Sequence, residues 1–523
     1  MIDMKKVLKT LLSLLWLVAC LGAACFFIYR FSGNFIDSDI SSELVLAKLL
    51  SQEENILSKN WFYSTEIKVF NDQLIFAPLF LVFESWQMVR TVGSAIILAL
   101  MLIAYIYLAR SLHISWALSF FSAGVLCLPL SAGYTYGVLT GIFYAPYVFF
   151  TFLTLAFLVR AANVKKGFRY FICLLFACAA SFASALAGVR QIFVFALPAA
   201  VAAVMLLFTH KGQITKQDGS WAFAKAAVLS CIAGAGGYYV NKTVLLANYS
   251  FCDYGFDTFG RDLLFTEFSI GGVETFLNNT FEMLGYRTGG LFSGYIIYNA
   301  LFALLLLLSV VAVLVILRRS EYDAAEKGTA LTFVFGLLLI AGVTCFTDMD
   351  KLGRYAIPVM ALLVPVITIL LNRWEADRRL CGLLVVVMAG LFAVTSANTY
   401  RINAQTDANV QLKDVYEYLS EKDYTEGYSS FWSGNVLTEL SDGKIDMRVV
   451  GTDYILKNED FGNVYHWLQL KEHEDIEPKG KFFVLLTKPE AKKCDMPSEP
   501  EYENDRYYVY GFEKFEDYEK LYE

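Results

Sequence analysis

The sequence predicts a polytopic α-helical membrane domain followed by a soluble α/β domain, and three observations carry that prediction. Of 523 residues, 57% are hydrophobic and 16% aromatic while only 18% are charged. With a mean hydropathy of +0.49, the chain is too apolar for a water-soluble protein of its size. Apolar runs of about 20 residues, long enough as helices to cross roughly 30 Å of hydrocarbon, recur along the first four hundred positions and then cease. Charge divides at the same place: residues 400–523 hold 27 acidic and 15 basic residues, against 23 and 28 before them. The expected organisation is therefore a transmembrane domain over residues 1–399 and a soluble domain over 400–523.

The first element is residues 10–29, an apolar run behind a basic N-terminal stretch, which fits either a signal peptide or a first spanning helix. Its length favours the helix. Leu17-Val18-Ala19-Cys20 also fits a lipobox, but the apolar run continues well past Cys20. Further spans are expected at 91–110, 114–131, 138–160, 169–188, 190–208, 222–246, 293–317, 329–346, 354–371 and 380–398, about eleven in all, and 74–89 could dip into the bilayer without crossing. With a cytoplasmic N-terminus, the inner loops then collect Lys5, Lys6, Lys9, Arg160, Lys165, Lys166, Arg318 and Arg319, while the outer loops are net acidic. That is the positive-inside pattern of a multi-pass cell-membrane protein. An odd number of spans places the acidic tail on the extracytoplasmic side.

Two outer loops, 30–90 and 247–291, exceed what connection needs, and long loops commonly carry function. In the first, Ile40, Leu44, Val45, Leu49 and Leu50 recur at helical spacing opposite Ser41, Glu43, Lys48 and Ser51, as in an interfacial helix. In the tail, 410–421 has helical periodicity, 481–488 and 507–512 read as strands, and Ser429–Trp432 reads as a strand entering a helix at Ser433-Gly434-Asn435. Eight of the ten cysteines fall in apolar spans as small hydrophobes, leaving Cys252 and Cys494 outside them. The tail's acidity argues against a nucleic-acid partner, which needs phosphate-neutralising cations.

The chemistry-bearing candidates begin with Asp37-Ser38-Asp39, directly after the first helix. Two carboxylates at a membrane face can hold a divalent cation such as Mg or Mn, or take a proton from a hydroxyl. They also fit plain helix capping, with Asp39 at the cap, Ser38 or Ser41 sharing the role and Glu43 in the first turn. Cations suited to a phosphate are Arg190, Arg354, Arg287 and Lys242, each equally compatible with an interfacial anchor. Glu66 in the first loop is a further acid, as are Asp253, Asp257, Asp262, Asp348 and Asp350. Histidines 113, 210, 466 and 473 avoid the outer loops of the membrane domain, which disfavours a His-rich zinc centre. No phosphate-binding glycine loop or serine nucleophile elbow is present.

Asp37-Ser38-Asp39, the long loop 30–90 and Arg354-Tyr355-Ala356-Ile357-Pro358 together resemble the GT-C superfamily of polyprenyl-phosphate-sugar-dependent glycosyltransferases, which includes protein O-mannosyltransferases, aminoarabinose transferases and oligosaccharyltransferases. The resemblance implies a GT-C-like fold and transfer of a sugar from a polyprenyl-phosphate donor to an extracytoplasmic acceptor: a cell-wall polymer, glycolipid or protein. It makes Asp37 the catalytic base and Asp39 its partner in orienting the acceptor or holding a metal. Arg190, Arg354, Tyr355, Lys242, Arg287 and Glu66 would bind the lipid phosphate or substrate. Two other readings stay open. A transporter or lipid flippase would need a polar track through the bilayer, which charges near the span centres do not supply. In a non-enzymatic envelope assembly protein, Asp37 and Asp39 would only cap a helix.

Overall fold

In the computed structural model the structure describes residues 4–209, 219–251, 268–289, 294–347, 353–374, 378–451, 456–478 and 480–522. Apolar runs become helices here because the bilayer core offers backbone polar groups no other partner than their own segment. Among the described residues, nine helical segments are long and apolar enough to cross a membrane: Met4–Asn34, Trp86–Ser111, Ala145–Val164, Phe168–Ala185, Ser220–Leu245, Ile296–Arg318, Ala324–Phe346, Gly353–Trp374 and Arg379–Ala404. Two segments expected to span, 114–131 and 190–208, are instead the shorter apolar helices Trp116–Val125 and Ile192–Phe208. The segment 74–89 yields the seven-residue helix Gln73–Leu79, with Pro78 inside its end.

Chain contacts divide the molecule into two compact units. The first comprises Met1–Phe26, Ala95–Val244 and Phe256–Ile402, and the second Phe27–Ser94, Leu245–Gly255 and Asn403–Glu523. The second unit therefore gathers the first long loop with the tail.

The first unit is helical, and its helices pack through small residues, the usual device where lipid removes the hydrophobic drive. Ser220–Val240 approaches Phe168–Ala185 so closely that a Cβ on Gly237 would lie 2.3 Å from the Phe182 carbonyl oxygen. Ala324–Phe346 starts in a capping box: Asp323 accepts from Glu326 N–H at 2.9 Å, and Glu326 accepts from Asp323 N–H at 2.9 Å. The buried Glu326 carboxylate is neutralised by Arg373 at 3.0 Å. Among the described residues, wide, π-type turns occur at Thr135–Thr140, Ile192–Ala196 and Asn241–Leu245, the last ending where the first unit gives way to the second. Such turns occur disproportionately at functional sites.

The second unit carries two sheets. In the smaller, β1 (Trp61–Tyr63) runs parallel to β2 (Ser250–Phe251) and antiparallel to β5 (Gln469–Leu470), so first loop, second loop and tail share one sheet. The larger has the order β4-β3-β6-β8-β7, from β3 (Glu426–Ser429), β4 (Asp446–Val449), β6 (Phe482–Thr487), β7 (Tyr502–Glu503) and β8 (Tyr507–Phe512). β3 is parallel to β4 and β6, while β8 is antiparallel to β6 and β7. Phe482, Val484 and Leu486 alternate into a core with Tyr428, Tyr510, Phe512 and Tyr518, and Phe483 and Leu485 are buried on the opposite face, so this central strand is packed on both sides. Helices Val410–Glu421 and Phe431–Leu440 accompany the sheet. The α/β expectation for the tail holds, except that the strand expected at Ser429–Trp432 ends at Ser429, and Phe431, Trp432 and Ser433-Gly434-Asn435 lie inside the second helix. Cys494 is a buried thiol that donates to Leu456 C=O at 3.4 Å. Burial first, then Glu490, Asp460 and Asp495, pushes its pKa up to about 12. Cys252 lies outside the described residues.

Candidate functional site

The acidic candidates belong to the second unit. After the single turn Ser32–Asn34 the chain extends through Asp37 (φ −125°, ψ −179°) and enters the helix Ser38–Glu53. Asp37 is the cap, where the sequence reading had placed Asp39: its Oδ1 accepts from the Ile40 N–H at 3.0 Å. Asp39 lies in the first turn, its carbonyl accepting from Ser42 Oγ at 2.9 Å. Both carboxylates are half-buried at the helix end that favours negative charge. Ser38 Oγ donates to the Phe431 carbonyl, joining this turn to the tail's helix.

This helix is not the interfacial one that periodicity suggested. Ser41, Ser42 and Glu43 are buried together with Ile40, Leu44, Val45 and Leu50, because the tail packs over the face expected to meet solvent. Glu43 gains an ion pair with Lys68 at 2.6 Å. Arg90, 1% exposed, donates to both carboxylate oxygens of Glu439 at 2.5 and 2.7 Å, and its Nη2 reaches the Ile40 carbonyl at 3.3 Å. Arg90 thus holds the carbonyl of the residue whose N–H Asp37 caps. Asp72 completes the charged interior: Oδ1 caps Gln73 N–H at 3.1 Å, while Oδ2 is buried with no partner. Burial, and then the Glu43 carboxylate, raises the Asp72 pKa well above the usual range, against the opposing pull of Lys68 and Arg90. Glu66 is half-buried in the segment leading from β1 to Lys68.

The basic candidates belong to the first unit, and there two of them converge. Arg190 sits among three tyrosine rings, 5.2 Å from Tyr144, 5.6 Å from Tyr147 and 4.9 Å from Tyr355. Arg354 follows the same pattern, 5.9 Å from the ring of Tyr136. Rings at these distances hold a guanidinium by its face, which suits its edge for a bidentate phosphate contact. The rings come from three elements: Tyr136 belongs to the wide turn Thr135–Thr140, Tyr144 and Tyr147 open the helix Ala145–Val164, and Tyr355 lies in the turn Gly353–Ala356, while Arg190 precedes Ile192–Ala196 across the buried Gln191, which donates to Thr151 Oγ1 at 2.8 Å. Tyr144 is 1% exposed and its hydroxyl has no hydrogen-bond partner. Lys242 lies in the third wide turn, where its neighbour Asn241 donates to Leu186 C=O at 2.6 Å. Arg287 is held elsewhere, 5.8 Å over Tyr298, with its backbone pinned by Asn299 at 2.9 and 3.0 Å.

Sequence reasoning missed Tyr136, Tyr144, Tyr147, Arg90 and Glu439. The first three had a signal: the glycine- and tyrosine-rich stretch 133–147, of which hydropathy counted 138–147, with Tyr144 and Tyr147, into a span and left Tyr136 just ahead of it. The Arg90–Glu439 pair had none, since 349 residues separate its members. Among the described residues no group of three or more His, Cys, Asp or Glu side chains could hold a metal ion. Asp253, Asp257, Asp262, Asp348, Asp350 and His210 lie outside the described residues.

No protein-family model matches the chain, and no curated protein matches it by sequence. Solved structures do. ArnT from Cupriavidus metallidurans bound to undecaprenyl phosphate aligns over 95% of this chain and 98% of its own, with TM-score 0.61 at 12% identity. ArnT in the apo state aligns over 94% and 97%, with TM-score 0.60 at 12% identity. The archaeal oligosaccharyltransferase AglB from Archaeoglobus fulgidus, in complex with an inhibitory peptide and a dolichol-phosphate, aligns over 82% and 64%, with TM-score 0.45 at 12% identity. The ArnT alignment runs nearly end to end on both chains, and the chain has a GT-C-like fold.

Proposed function

We propose that this protein is an integral membrane glycosyltransferase that transfers a sugar from a polyprenyl-phosphate donor to an extracytoplasmic acceptor. The observation that supports the reading is the tyrosine-lined pair Arg190 and Arg354, two guanidiniums whose chemistry suits a phosphate, in a chain whose fold is similar to that of ArnT bound to undecaprenyl phosphate. In the reaction, an acceptor hydroxyl oxygen attacks the anomeric carbon, and its proton passes to the Asp37 carboxylate. The bond from anomeric carbon to phosphate oxygen breaks, and its electron pair leaves with the polyprenyl phosphate. Arg190 and Arg354 stabilise the charge growing on that phosphate, with Tyr355 and Lys242 as supporting groups. Asp39 orients the acceptor. A divalent cation, if the reaction takes one, would be held by Asp37 and Asp39 with the rest of its shell from water or phosphate, the mode Mg adopts. The N-terminus is cytoplasmic and the tail extracytoplasmic, as the loop charges argue.

The test is sugar transfer from a radiolabelled polyprenyl-phosphate donor by the full-length Asp37→Asn variant. Loss of a positioned general base costs about 10²- to 10⁴-fold. Transfer at the wild-type rate would remove Asp37 from the mechanism.

A further inference from the structure

In the first unit, a cleft of about 420 Å3 lies where the spanning helix Ile296–Arg318 begins and the spanning helix Arg379–Ala404 ends. The buried Tyr298 ties the two helices together there. Its hydroxyl donates to the Thr395 carbonyl at 3.1 Å, lies 2.9 Å from Thr399 Oγ1 and accepts from Asn398 Nδ2 at 3.1 Å. Tyr298 and Thr395 line the cleft together with Asn398 and Arg401, and Ile297, Val394 and Ala397 give it apolar walls. None of the tyrosines around Arg190 and Arg354 belongs to it.

Arg401 is exposed, and among the described residues its hydrogen bond goes to a neutral group: Nη2 donates to Asn398 Oδ1 at 3.0 Å. Because Asn398 gives its Nδ2 to Tyr298, its oxygen is the atom left for the guanidinium, so a buried tyrosine positions the cation through two hydrogen bonds. Most of the five guanidinium N–H groups remain for a ligand. Arg287, 5.8 Å over the Tyr298 ring, adds positive charge nearby. Among the described residues no acid lines the cleft. Val394 stands two helical turns inward of Arg401, about 10 Å along the axis. That distance covers a headgroup layer of roughly 5–7 Å and the first carbons of the acyl chains beneath it. Ile297 and Val394 are 40% and 50% exposed on spanning helices, where the surrounding solvent is hydrocarbon.

An occupant matched to this cleft carries an anion at the helix ends and a hydrocarbon chain below. Free phosphate makes no use of the apolar walls, and an uncharged amphiphile leaves the guanidinium unpaired. A zwitterionic phospholipid brings an ammonium group for which the lining offers no carboxylate. We propose that the cleft binds an anionic phospholipid of the phosphatidylglycerol type, its phosphate on Arg401 and one acyl chain along Ile297 and Val394. The site shares no residue with the Arg190 and Arg354 cluster, and it stands whether or not the protein transfers sugar.

The test uses the full chain, delipidated in detergent, with the Kd of dioleoyl-phosphatidylglycerol and of dioleoyl-phosphatidylethanolamine read by native mass spectrometry. Phosphatidylglycerol is expected to bind about fivefold more tightly or better, the worth of one cation beside a charged headgroup. Arg401→Gln should erase that preference and Arg401→Lys should keep it, while Ala397→Trp, which fills the cleft without changing its charge, should remove the binding. Equal affinity for the two lipids in the wild-type protein overturns the proposal without reference to any variant. So does a preference for phosphatidylglycerol that survives both Arg401→Gln and Ala397→Trp. Two competitors identify the source of the phosphate. Millimolar inorganic phosphate should leave the lipid bound, and displacement would make the cleft a free-anion site. Equimolar undecaprenyl phosphate should not displace it either, since its phosphate is expected at Arg190 and Arg354, and displacement would assign the cleft to the donor. Either displacement overturns the proposal.

Discussion

In the proposed reaction Asp37 has two jobs that a single substitution can separate. As an N-cap it holds the Ile40 N–H, and asparagine caps as well as aspartate while alanine costs about 1 kcal/mol. Asp37→Asn should therefore keep the wild-type melting temperature in detergent while losing transfer, whereas Asp37→Ala should lose both. Equal thermal stability of the two variants would mean that the cap contributes nothing. Tyr144 poses the complementary case, because a buried hydroxyl with no partner costs about 1–3 kcal/mol unless a ligand satisfies it. Tyr144→Phe should leave the ligand-free protein as stable as wild type or more so. It should also raise the donor KM about tenfold or more, the worth of one hydrogen bond to a charged oxygen. An unchanged donor KM would place that hydroxyl away from the phosphate.

The helix Ser38–Glu53 shows how an element acquires its setting from distant chain. Its local pattern of apolar and polar residues describes a surface helix, and the tail then covers the polar side. The price is a charged interior. Glu439→Ala leaves the Arg90 guanidinium buried without its carboxylate and should cost about 3–5 kcal/mol. Replacing both partners with methionine and leucine should be neutral or stabilising, which thermal unfolding in detergent would check. Asp72, capping Gln73–Leu79, makes the same interior sensitive to pH. Its folded pKa is raised, so the folded state keeps a proton that the unfolded chain has released. That contribution to stability is fully present below the ordinary carboxylate pKa of about 4 and is lost as pH rises through the folded value. Asp72→Asn keeps a capping oxygen and cannot ionise, so its stability should fall less than that of wild type as pH is raised from about 4 to 8. Parallel pH curves would refute a protonated Asp72.

At the scale of the whole molecule, the orientation proposed from loop charge can be measured directly. A membrane-impermeant maleimide should label Ser420→Cys on the exposed end of Val410–Glu421 in intact cells, and should reach Lys166→Cys, in the exposed turn before Phe168–Ala185, only after permeabilisation. The reverse pattern would invert the topology and move the acids to the cytoplasm. Much of the architecture could be read from sequence because hydropathy acts locally: a run of apolar residues prefers hydrocarbon whatever surrounds it. The helices Met4–Phe31, Ile296–Arg318 and Val410–Glu421 and the strands β6 and β8 fall where periodicity put them. The wide turns at Thr135–Thr140 and Ile192–Ala196 do not, since their sequences, TYGVLT and IFVFA, carry no charge, and hydropathy alone does not separate a wide turn from a regular span. Asp37-Ser38-Asp39 and the Arg354-Tyr355 motif stood out by position alone. That Asp37 takes the cap, that Tyr355 comes to rest 4.9 Å from Arg190, and that Arg90 finds Glu439 were decided only by the tertiary structure. Such pairings depend on how the chain closes over hundreds of residues, and no local pattern of polarity encodes that closure.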